Sequence, residues 1–218
     1  ALKQQRISRP SPAVLEEVAS KFPARKVPLA LSQQDGPAAY PDEVTVDDLV
    51  AAARRVNKFS APRPSGTPMF ILINPLRRQE KSPQDQTFGS HLAWFANKVY
   101  RGLSWLGPYF RQVRLVAIRE PSGRHRPIQI AESLDRLLGK ALLSKYVDSL
   151  RDHFGVLQSG IAAAGMEKVV HFVDAALGSN RASSVLSLDF ANAFNEVSRA
   201  VIRRELSVFF PSLLPYFD

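Results

Sequence analysis

Leu188-Asp189-Phe190-Ala191-Asn192-Ala193-Phe194-Asn195 closes an apolar run and opens a helical pattern. Ser184 to Leu188 alternates poorly but is rich in β-formers. The run ends on a lone carboxylate, which is how a buried strand presents one acid to a metal site. Val185 to Phe190 is therefore expected as a strand, with Asp189 at its end. Val197, Val201 and Leu206 are expected in the helix that follows.

Upstream, local signals mark several helices and a second strand. Ser11-Pro12 suits a helix start with Leu15, Val18 and Phe22 as the apolar face, because proline is tolerated in a first turn. Residues 23 to 44 read as loop. Thr45-Val46-Asp47-Asp48 has the pattern of a capping box opening a helix with Leu49, Ala52 and Val56 on one side. Ser60-Ala61-Pro62-Arg63-Pro64-Ser65-Gly66 excludes regular helix, since prolines two apart remove donors and restrict the residues before them. Met69 to Ile73 is an apolar run that periodicity leaves open between helix and strand. Phe88, Leu92, Phe95, Val99 and Leu103 mark a helix ending near Gly107-Pro108. Val113 to Ile118, followed by Pro121-Ser122-Gly123, reads as a strand entering a turn. Ser133 is placed as the cap of a long helix carrying Leu134, Leu137, Leu138, Ala141 and Leu142. Gly165 to Leu177 is a further helix with Val169, Val173 and Ala176 on one side.

The 218 residues hold 29 Lys and Arg against 20 Asp and Glu, a formal net charge of +9 that favours polyanionic partners. At 45% hydrophobic residues the chain has the composition of a packed protein. Cysteine is absent, which excludes disulfides, thiolate zinc sites and a cysteine nucleophile. His91, His125, His153 and His171 lack metal-ligand spacing and are read as non-ligands. No apolar run approaches the ~20 residues of a membrane-spanning helix, so a membrane is not an expected partner. The first fourteen residues hold Lys3, Arg6 and Arg9 and no acid. A cleaved terminus, an organelle-targeting remnant and an arbitrary boundary all fit that pattern.

Arg126-Pro127-Ile128, Gln158-Ser159-Gly160, the segment Gly165-Met166-Glu167-Lys168 with Val169, Val170 and His171, and then Asp189 with Phe194 form an ordered series. From about Val44 to Tyr216 the chain resembles reverse transcriptases (RNA-directed DNA polymerases) of non-LTR retrotransposons, particularly the clade that inserts at fixed sites in repeated genes. That clade carries a Ser-Ala-Pro-Gly-Pro-Ser-Gly turn upstream of the fingers, where this chain has Arg63 in place of a glycine. The resemblance implies a helix-rich α+β fold with reverse-transcriptase-like fingers, a partial palm and a helical N-terminal extension. The expected divisions are an irregular leader with one helix over 1–44, the helical extension over 45–110, and fingers with the start of the palm over 111–218.

Nucleotide addition by this family uses two Mg²⁺ ions ~3.5–4 Å apart. The resemblance makes Asp189 a catalytic metal ligand and assigns the backbone carbonyl of Phe190 to the same metal. Phe190 and Phe194 then line the nucleotide site, with Phe194 as the aromatic gate beneath the sugar; core packing is the ordinary alternative for that ring. Arg119 and Arg126 are assigned to the triphosphate, since forked guanidinium donors suit phosphate oxygens. Arg111, Arg114 and Arg124 add charge nearby, and strand alternation keeps them from all facing one ligand. A solvated basic face is the alternative. Gln158 and Gly160 match a template-binding motif, Gly160 as backbone. Val46-Asp47-Asp48 imitates the family's later aspartate pair but precedes the fingers and starts a helix, where acids are favoured by ~0.3–1 kcal/mol.

One carboxylate does not organise two metal ions, so the 218-residue chain is expected to lack polymerase activity alone. It would act as nucleic-acid-binding fingers and partial palm, with RNA as partner, a DNA primer as a further one, and Mg²⁺ engaged only when completed. The alternative is a domesticated, catalytically inactive RNA-binding subunit of a larger ribonucleoprotein, such as an organellar ribosome, with no cofactor. Other protein chains, or other parts of the molecule, are expected to pair with the palm edge at residues 184 to 190. The retroelement reading places the chain in nucleus or cytoplasm and the organellar reading in the mitochondrion.

Overall fold

Capping starts the first two helices where local sequence places them. In the computed structural model, which describes residues 7–22, 42–59, 65–78, 82–101, 112–156, 158–179, 184–190 and 192–217, helix α1 spans Pro12–Ser20. Ser11 is extended and its side chain accepts the Val14 N–H at 3.3 Å, with Pro12 in the first turn. Val18 is buried, whereas Leu15 is exposed and Phe22 half-buried, so the expected apolar face is only partly covered. Helix α2 spans Val46–Arg55 behind a complete capping box: Thr45 accepts the Asp48 N–H at 3.2 Å and Asp48 accepts the Thr45 N–H at 2.8 Å. Asp48 is thereby committed to the cap. Leu49, Ala52 and Val56 are all buried.

Met69 to Ile73 resolves as helix, opening α3, Met69–Arg78. Met69, Ile73 and Leu76 are buried at helical spacing. Helix α4, Pro83–Tyr100, ends before the expected Gly107-Pro108, which lies outside the described residues. Its buried stripe is Gly89, Leu92, Ala93, Ala96 and Tyr100, with Phe88, Phe95 and Val99 only half-buried. Helix α4 packs against α2 and α3, and small residues on a buried stripe suit close packing between helices.

The hairpin β1 (Val113–Arg119) and β2 (His125–Ala131) is antiparallel, in register from Val113 opposite Ala131 to Arg119 opposite His125. Its three-residue loop, Pro121-Ser122-Gly123, has Gly123 at φ 87°, with the Gly123 N–H donated to the Glu120 carbonyl at 3.0 Å. Pro127 lies opposite Ala117 at a pair whose backbone groups point outward, so its missing N–H breaks no rung. The outer edge of β1 is bridged by Ile7, and Ser8 donates its N–H to Ala117 at 2.9 Å. Residues expected as irregular leader thus cover part of a sheet edge.

Helix α5 runs over Ser133–Phe154. Ser133 is its first residue instead of its cap: the Glu132 carbonyl accepts the Arg136 N–H, and the buried Ser133 hydroxyl donates to Thr67 O at 2.8 Å. Glu132 meanwhile receives the Ser65 N–H and hydroxyl at 2.8 and 2.7 Å, tying down the end of the Pro-rich turn. Residues 60 to 64 of that turn lie outside the described residues.

By compactness the chain divides into two units: 1–142 with 192–218, and 143–191. In the first, the core joins α2, α3, α4, the start of α5 and the C-terminal Leu213 and Leu214. Leu137, Leu138, Ala141 and Leu142 are fully buried there; each leucine contributes roughly 1.5–3 kcal/mol relative to exposure. Tyr100 donates its hydroxyl to Leu138 O at 2.6 Å and meets Tyr216 edge-to-face at 5.5 Å. Burial raises both phenols above their ordinary pKa, and raises that of Asp135, which accepts the Tyr216 hydroxyl at 3.0 Å. Beyond a left-handed Asn192, short helix α7 (Ala193–Glu196) gives way to α8 (Arg199–Phe209), whose N-cap is Ser198, and then to α9, Leu214–Phe217. The single helix expected through Val197 is therefore broken, and Val197 and Val201 are exposed.

In the second unit, Gly155 ends α5 at φ 68°, its N–H donated to Arg151 O at 2.8 Å. Arg151 Nε reaches Ile161 O at 3.0 Å and pins the 3-10 turn Ser159–Ile161. Helix α6, Gly165–Gly178, follows a left-handed Ala164. The strand expected over Val185 to Phe190 does not form. Residues 184–190 are exposed and belong to no sheet among the described residues. β-former content supplies the tendency, but a strand exists only when a neighbour pairs its N–H and C=O groups.

Candidate nucleic-acid interface

The register of the hairpin decides where its arginines point. Arg119 is opposite His125 and Arg126 is opposite Ile118, so alternation sends the two guanidinium groups to opposite faces. A joint grip on one triphosphate, expected from sequence, is not what this register favours. Arg126 Nε and Nη2 both meet Glu120 Oε1, at 2.9 and 2.8 Å, across the loop, which holds the exposed fork at the turn. Arg119, Arg114 and Arg124 are exposed, and Arg111 lies outside the described residues.

On the outer edge of β2, Glu17 of α1 accepts the His125 N–H at 2.7 Å with Oε1 and the His125 Nδ1–H at 2.6 Å with Oε2. Lys21 lies 3.3 Å from the same carboxylate and also bonds the His125 carbonyl. The His125 side-chain bond, then its backbone bond, then Lys21 hold the Glu17 carboxyl down at about 2. At the end of α1, the Lys21 carbonyl accepts Asn192 Nδ2 at 2.8 Å, and Asn192 Oδ1 accepts Asn195 Nδ2 at 2.6 Å. Helix α1 thereby joins the start of β2 to the second half of the Asp189 motif. Sequence reasoning missed this connection. Glu17 and Lys21 are visible as an i, i+4 pair, but nothing local reveals His125 or Asn192 as partners.

Asn192 takes φ 55°, a left-handed turn that asparagine tolerates better than most residues. Phe194 follows on α7 and is 99% exposed, so core packing does not describe it. Asp189 and Phe190 lie in the exposed extended segment of the second unit, apart in the chain's division from Arg119, Arg126 and Phe194 in the first. Gln158 and Gly160 share one turn, where Gln158 Oε1 accepts the Gly160 N–H at 3.0 Å. The stricter backbone demand is at Gly165, where a Cβ would lie 1.8 Å from Ser159 O.

Among the described residues, no group of three or more His, Cys, Asp or Glu side chains is placed to hold a metal ion. Asp189 with the Phe190 carbonyl is too small a donor set for two Mg²⁺ ions, which are hard cations needing several oxygens each. No protein-family model, curated protein or solved structure matches the chain.

Proposed function

We propose that this chain is the nucleic-acid-binding fingers and first palm motif of a reverse-transcriptase-type protein, in which hairpin β1–β2 contacts RNA through Arg126. The exposure of Phe194 carries the reading: a large ring projecting from the helix after a left-handed turn, five residues beyond a solvent-facing Asp189, suits contact with a ligand. Net charge of +9 and the exposure of Arg126 near the loop end of β2 agree with a polyanionic partner. In this reading Asp189 holds metal only together with carboxylates supplied from outside the described residues, and the chain binds RNA without extending a primer.

The test is RNA binding by fluorescence anisotropy over a salt series, alongside Mg²⁺-dependent primer extension on the same template. Arg126→Ala is expected to weaken binding and lower the slope of log affinity against log salt by ~0.7 to 0.9, the value of one phosphate contact, with folding unchanged. Asp189→Ala should leave binding intact. Unchanged binding in Arg126→Ala would remove the hairpin from the interface, and primer extension by the chain alone would overturn the need for further carboxylates.

A further inference from the structure

The C-terminal turn of α2 gathers a second basic surface that the hairpin does not account for. Arg77 of α3 donates through Nη2 to Ala53 O at 2.7 Å and Val56 O at 3.2 Å, and Lys140 of α5 donates to Arg55 O at 3.1 Å. These bonds satisfy the last carbonyls of α2 and bring three helices together at one point. Arg54 and Arg55 are exposed there and have no ion-pair partner among the described residues. The acids of α2, Asp47 and Asp48, sit at its opposite end. Complementing the negative end of a helix explains one or two cations, and Arg77 and Lys140 already do so.

Just beyond, Phe59 is 80% exposed. Its backbone is fixed by an Asx turn, with its N–H donated to Asn57 Oδ1 at 2.9 Å, and Lys58 Nζ stands 4.8 Å from the ring centroid. An exposed ring beside a lysine, a few residues along the chain from two exposed arginines, offers what single-stranded nucleic acid uses, charges for phosphates and a ring for a base.

We propose that Arg54, Arg55, Lys58 and Phe59, at the end of α2, form a binding site for single-stranded nucleic acid separate from hairpin β1–β2. The proposal does not depend on the polymerase reading.

The experiment is anisotropy of a labelled oligouridylate of about a dozen nucleotides with the whole chain over a salt series. Phe59→Ala is expected to weaken binding by roughly 5- to 150-fold, the loss of one stacked base. The double variant Arg54→Gln, Arg55→Gln should lower the salt slope by about 1.4, two single-strand phosphate contacts. All three side chains are exposed, so circular dichroism and thermal midpoint should match wild type, which separates lost binding from lost fold. Unchanged affinity in Phe59→Ala with an unchanged slope in the double variant would overturn the site, as would tighter binding of phosphatidylserine vesicles than of the oligonucleotide. Loss in these variants with Arg126→Ala unaffected would keep this site and remove the hairpin; the reverse would keep the hairpin and remove this site.

Discussion

Replacing Gly165 by alanine tests the geometry of the second unit, because two physical effects predict opposite signs. Alanine is the better helix former, by ~0.8–1 kcal/mol in a helix interior, so propensity alone predicts stabilisation at the start of α6. The structure predicts the reverse. A Cβ there would stand 1.8 Å from Ser159 O and 2.7 Å from Ser159 C, both backbone atoms that no rotamer change can move aside. To reach ordinary contact the gap must open by about 1.6 Å, pulling α6 away from the 3-10 turn that Arg151 pins. Overpacking of this kind costs typically 1–3 kcal/mol and occasionally more. Net of propensity, the expected loss reaches roughly 2 kcal/mol, a factor of up to about 30 in the local opening constant. Amide hydrogen exchange read by mass spectrometry on peptides covering 158–178 is the suitable assay. Faster exchange in those peptides is the expected result. Protection equal to or above wild type would refute the reasoning and show that the Ser159 carbonyl does not crowd Gly165.

Two further predictions concern the α1 connection. The Glu17 carboxyl is held at about 2, below its ordinary 4.5, so its contribution to docking α1 on β2 is fully present above pH 4.5 and is lost as pH falls through about 2. Exchange protection around His125 should therefore decline over that acid range, and Glu17→Gln should flatten the decline; an unaltered profile in the variant would exclude Glu17 as its source. Asn192→Gly keeps the left-handed turn but loses the side-chain bonds to Lys21 O and Asn195 Nδ2, for an expected cost of about 0.5–1.5 kcal/mol each. Asn192→Ala also incurs the φ penalty, so its thermal midpoint should be the lower of the two, and equal midpoints would show that the φ 55° turn relaxes freely.

What sequence by itself determined about this protein is what neighbours along the chain decide. Ser11 and Thr45 cap their helices with partners three residues away, and Pro121-Ser122-Gly123 turns the hairpin through a bond spanning three residues. Asp47 and Asp48 were legible as helix-start acids for the same reason. The composition of Gly165 to Leu177 marked α6 to within a residue. Tertiary structure alone decided which face of each element is buried and who pairs with whom. Helix α4 buries Gly89, Ala93 and Ala96 and packs against α2 and α3, a choice of face absent from its own periodicity. Ser133 spends its hydroxyl on Thr67, sixty-six residues away, and Glu17 finds His125 at a separation of 108. The candidate site divides in the same way. Asp189 and Phe194 can be picked out by residue type and spacing, but the exposure of Phe194, the opposite facing of Arg119 and Arg126, and the tie between Asn192 and α1 all depend on register and packing. Residues 184–190 show the limit most directly: their β-forming side chains are a property of the chain, whereas a strand is a property of two chain segments, because its hydrogen bonds close only between neighbours.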